Sequence, residues 1–63
     1  MCLSTVYAVL NDNENKLCEY VCNVEVDGNS ITLTDIMGAQ TKVQGTLKSM
    51  DFVKNRVIIE CEN

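Results

Sequence analysis

Four cysteines and not one histidine set the chemistry open to this 63-residue chain. Without an imidazole, Cys–His and Ser–His nucleophilic arrangements are impossible, and the commonest general base is missing. Three isolated glycines make no phosphate-binding loop. The acidic turn around Asp27 lacks the later carboxylates of a calcium loop. A chain this short also has little room for a pocket of the usual few hundred Å³. The reading is therefore a protein that is not an enzyme, and what remains is the thiol chemistry of Cys2, Cys18, Cys22 and Cys61.

Cys18 and Cys22 stand four residues apart in CEYVC. On a helix such residues are neighbours and can share a metal ion. On a strand they are about 13 Å apart, too far for one ion with bonds near 2.3 Å. The surrounding pattern is extended, so both are expected to be buried or half-buried small hydrophobes. A helical turn through Leu17, Cys18, Tyr20, Val21 and Cys22 is the alternative. Cys61 lies between Glu60 and Glu62 and is read as a spectator thiol.

Cys2 differs because of its place directly behind Met1. Methionine aminopeptidases remove Met1 when the next side chain is small. The new first residue then carries both an α-amine and a thiol, which close a five-membered chelate ring on a metal. Model amines titrate near pH 7.7–8.0 and thiols near 8.5, so a divalent ion displaces both protons at about neutral pH. Deprotonated backbone amides add in-plane donors. Tetragonal N/S coordination suits Ni(II) or Cu(II), whereas Cu(I) or Zn(II) asks for more thiolates. A two-fold axis would bring two such chelates to one metal. Against this stands the plain reading of Cys2 as a small apolar residue or a leftover thiol.

The elements that must position these residues are short and extended. Residues 2–10 place Val6, Ala8 and Leu10 on one face and Leu3, Thr5, Tyr7 and Val9 on the other. Asn11 to Asn15 reads as a turn, and residues 16–26 continue extended with Leu17, Val24 and Val26 as core positions. Asp27-Gly28-Asn29 predicts a hairpin into a strand where Ile31 and Leu33 alternate with Thr32 and Thr34. Gly38 marks a further turn. Val43, Gly45 and Leu47 share a face, and Gly45 permits a bulge or a sharp bend. Lys54-Asn55 turns the chain into RVIIEC, the last strand. Five or six such strands predict an all-β fold: a small antiparallel barrel of SH3-like or OB-like size, whose closure removes exposed edges. Residues 1–63 form one domain.

Composition narrows the partners. The net charge is −4, and the five bases (Lys16, Lys42, Lys48, Lys54 and Arg56) are scattered. Tyr7, Tyr20 and Phe52 are the only aromatics. Nucleic-acid binders cluster their bases and add stacking rings, so nucleic acid is not the expected partner. MCLSTVYAVLN lacks a basic n-region and a clean apolar h-region, and no stretch reaches membrane-spanning length. The expectation is a cytoplasmic protein with reduced thiols and no membrane contact. A chain of this length buries only about 60% of its unfolded surface, and a homodimer would extend a core too small to be secure alone.

Met1-Cys2, the central VEVDGNSITLTDIMG from Glu25 to Gly38, the VQGTLKSMDF segment from Gly45 to Asp51, and Val57 to Glu60 resemble, in order and spacing, the small CooT-type proteins linked to carbon monoxide dehydrogenase maturation. The resemblance covers nearly the whole chain. It implies a small all-β homodimer that binds Ni(II) through the N-terminal cysteine, here Cys2, in the manner of a metallochaperone serving a client metalloenzyme. It assigns nothing to Cys18, Cys22 or Cys61. The rival is a non-catalytic β-barrel interaction module for a protein or RNA, in which Cys2 merely packs.

Overall fold

The computed structural model describes residues 3–61. Five strands follow in chain order: β1 (Ser4–Leu10), β2 (Asn13–Asp27), β3 (Ser30–Asp35), β4 (Gln40–Asp51) and β5 (Arg56–Cys61). The helical alternative for residues 16–23 does not form; they lie inside β2.

The turns sit where backbone chemistry put them. Asn11 and Asp12 both take left-handed φ, 52° and 65°, the type I′ pattern that matches the twist of a hairpin. The run read as a five-residue turn is thus a two-residue turn, and Asn13 to Asn15 already pair with β1. Gly28, at φ 61°, opens the two-residue β2–β3 turn. In the β3–β4 turn one Asp35 carboxylate oxygen accepts the Met37 and Ala39 N–H groups at 2.9 and 3.0 Å. In the β4–β5 turn Asp51 does the same for Val53 and Lys54, both at 3.0 Å.

Each strand pairs with the next, and β5 returns to β1, so the sheet closes into a ring. The expectation of wholly antiparallel pairing is corrected at one seam: β1 and β5 run parallel, from Thr5 opposite Arg56 to Val9 opposite Glu60. The reason is parity. Directions alternate at every hairpin, and in a ring of five the first and last strands must point the same way.

Two long strands each serve two partners. β2 pairs with β1 up to Val21 and with β3 from Val21 onward. β4 pairs with β3 through Gln44 and with β5 from Gly45. Such strands form corners where one sheet passes into another, made by bulges or bends. Gly45 stands where β4 changes partner, and the bulge of that strand falls three residues later, at Lys48. A Cβ on Gly45 would clash with the Glu60 carbonyl oxygen and stand 3.1 Å from the Cys61 Cα.

Val6, Val21, Ile31, Leu33, Val57 and Ile59 fill the centre, with Leu17, Cys18, Val24, Val43 and Cys61 packed against them. Burying each such aliphatic side chain contributes roughly 1.5–3 kcal/mol. The period-two reading holds for Ile31 and Leu33. It fails in β1, where Val6 and Val9 are buried while Leu10 is exposed. A register shift between Val6 and Tyr7 breaks the alternation there. Val26, an expected core position, is 55% exposed, because β2 there pairs only with β3 at its far end. No helix among the described residues is long and apolar enough to cross a membrane.

Candidate metal centre

Cys2 lies outside the described residues, so the structure speaks to its frame rather than to the residue itself. The frame begins with Leu3, half-buried, and with Ser4, which opens β1 opposite Val21. On the other side the Thr5 N–H donates to the Asn55 carbonyl at 2.9 Å, tying the start of β1 to the β4–β5 turn. Val21 in turn pairs with Asp35, and the Ile36 N–H donates to the Tyr20 carbonyl at 3.0 Å. The start of β1 therefore stands between the β4–β5 turn and the corner of β2.

That corner is irregular. Tyr20 holds φ 58°, uncommon for a bulky side chain. The β2–β3 register then slips between Val21 and Asn23, leaving Cys22 as the extra residue of a bulge. Cys22 is exposed, which corrects its expected burial: the bulge takes it out of the inward-outward alternation that had suggested a packed position. For Cys18 the expectation stands. It is half-buried against the core, with its Sγ 3.7 Å from the Thr41 Oγ1. Cys61, half-buried, pairs with Gly45 at the other end of β5. These three are free thiols.

Among the described residues no three His, Cys, Asp or Glu side chains gather into a metal cluster, and no pocket opens. Charged contacts flank the frame, since Arg56 pairs with Thr5 and Glu19 precedes Tyr20. Arg56 pairs with Glu14 at 3.0 Å and stacks over the Tyr7 ring at 4.7 Å, and Lys16 meets Glu19 at 3.3 Å. These pairs are largely exposed, worth about 0–1 kcal/mol each. The two aspartate-held turns carry apolar tips, Met37 and the Phe52-Val53 pair, which are 87%, 80% and 91% exposed. Sequence reasoning singled out Cys2 but not its neighbourhood. The pairing of Ser4 with Val21 is a long-range register that no local pattern reveals.

The family model for CooT, the CO dehydrogenase accessory protein, matches residues 1–60. Among solved structures, a candidate CooT from Carboxydothermus hydrogenoformans superposes with a TM-score of 0.87 at 22% identity, over 98% of this chain and 100% of that one. At that identity the likeness shows the fold alone. No curated protein matches the chain.

Proposed function

This chain belongs to the CooT family of CO dehydrogenase accessory proteins, and on that premise we propose that it captures Ni(II) through the thiolate and α-amine of Cys2 and hands the ion to a client enzyme such as carbon monoxide dehydrogenase. The observation that carries the reading is a family match that begins at residue 1 and so includes Cys2. The donor chemistry fits. Removal of Met1 would free the amine, and amine, thiolate and backbone amide nitrogens make the N/S set that Ni(II) favours. Among the described residues no cluster of three His, Cys, Asp or Glu side chains offers a competing metal site. The role is accessory, with no bond-making step of its own.

The protein would work in the cytoplasm as a homodimer, closing as a small β-barrel whose paired subunits bring their N-termini together. The exposed Met37, Phe52 and Val53 side chains favour, as a second reading, an interaction module that docks a protein partner.

Native mass spectrometry of the chain without Met1, with and without Ni(II), separates the two readings. The first expects a dimer that gains one or two nickel ions and loses them on Cys2→Ser. A protein that ignores nickel would return Cys2 to a packing role.

A further inference from the structure

We infer that the apolar pole around the start of β1 is the face on which two copies of this chain pair, an inference that deepens the homodimer of the reading above and rests on it. On one side of that pole stand Tyr20, Ile36 and Met37, exposed by 59%, 52% and 87%, where the Ile36 N–H donates to the Tyr20 carbonyl. On the other stand Phe52 and Val53, in the turn whose Asn55 carbonyl accepts the Thr5 N–H. The start of β1 runs between them, with Ser4 paired to Val21 and Thr5 to Arg56. Neighbouring strands are about 5 Å apart, so both sides lie within reach of one contacting surface.

Five exposed side chains of this size offer on the order of 500 Å², the upper range of apolar patches on monomers. A standard interface takes roughly 800 Å² from each partner, so a polar rim would complete it. By contrast, Leu10 and Val26 stand singly beside the β1–β2 and β2–β3 turns. A small chain with so short a list of buried core side chains gains more from such cover than a large domain would.

Charge decides the occupant. The Tyr20 side carries Glu19 and Asp35, whereas the Phe52 side carries Lys54 and Arg56 beside Asp51. Asp35 and Asp51 each hold a turn, and Arg56 reaches across to Glu14. That leaves Glu19, which meets Lys16 through Oε1, and Lys54, which forms no ion pair among the described residues. A two-fold contact requires a surface complementary to itself, with unlike halves on either side of the axis. An axis through the start of β1 sets the acidic side of each copy on the basic side of the other. Glu19 then points toward Lys54 across the contact, with the apolar tips between. A chain of net charge −4 repels its own copies elsewhere, so unlike halves at the contact matter all the more.

The test is sedimentation equilibrium of the full chain over a range of concentrations, with circular dichroism to check the fold of each variant. The parent should be a dimer. Phe52→Lys should raise its dissociation constant about tenfold or more, and Val26→Lys should leave it unchanged. Lys54→Glu and Glu19→Lys should each weaken pairing severalfold, and the double exchange should restore it. A dimer indifferent to Phe52→Lys, or a double exchange no better than its singles, overturns this face while the homodimer stands. A monomeric parent overturns both and leaves the tips to a different protein. Nickel uptake is read separately by mass and stands or falls on Cys2→Ser in every case.

Discussion

The two corners of the ring solve one geometric problem in opposite ways. β2 and β4 each leave one partner strand for another, and each must bend to do so. β4 changes partner at a subtraction, its own inserted residue, Lys48, coming three positions later. At Gly45 the side chain is missing, and the backbone closes to within van der Waals reach of Glu60 and Cys61. β2 bends by addition. It keeps Tyr20 in a left-handed conformation and inserts Cys22 as an extra residue. Subtraction yields a closely packed corner. Addition yields a strained, open corner that sets a thiol on the surface beside the start of β1. Backbone strain of this kind costs about 1–3 kcal/mol and tends to persist where a site requires it. The contrast separates a closely packed corner from an irregular one.

Substitutions at the three residues test that division, with effects expected to fall from one to the next. Gly45→Val forces a branched Cβ into the Glu60 backbone, which cannot withdraw without opening the β4–β5 ladder. The expected loss is about 3 kcal/mol or more, read as a collapse of the urea midpoint, and a small domain has little more than that to lose. A mild effect would mean that the β4 corner can relax and is not sealed. Tyr20→Gly goes the other way. Glycine takes φ 58° freely, so thermal melting should show a gain of up to about 1 kcal/mol, reduced by whatever the half-exposed ring contributes. Destabilisation instead would show the tyrosine side chain to be a structural brace and the corner to be unstrained. Cys22→Ser should leave the melting temperature almost unmoved, within about 0.5 kcal/mol, because the side chain is exposed and its core neighbours are others. A larger drop would give Cys22 a packing role.

Much of this architecture can be read from the chain, for identifiable reasons. Gly28, Gly38, Asn11, Asp12 and Asn55 all take positive φ at the turns their residue types announce. Ile31 and Leu33 alternate cleanly because β3 is short, regular and paired on both sides. The close approach at Gly45 is legible because glycine is the one residue that leaves room for it. Bulges are different. Nothing in KLCEYVC announces that Val21 will be buried and Cys22 turned out, since the extra residue is defined only against β1 and β3. The same shift misled the reading of β1, where Leu10 was placed with Val6 and proves exposed. For the site, Cys2 could be chosen from chemistry alone, while the pairing that places Cys22 beside the start of β1 needed the folded ring.

The parallel seam between β1 and β5 has a consequence for the order of events in the cell. β1 is the first strand to be made and β5 the last, and the contact between them spans nearly the whole chain. Contacts of such high sequence separation form late and slow a fold, because the closure entropy must be met before they add anything. On the ribosome the ring cannot close before Val57 and Ile59 of the core have been made. Whatever the first four strands do as they emerge, the core stays open until the fifth arrives, so topology sets the last step of folding.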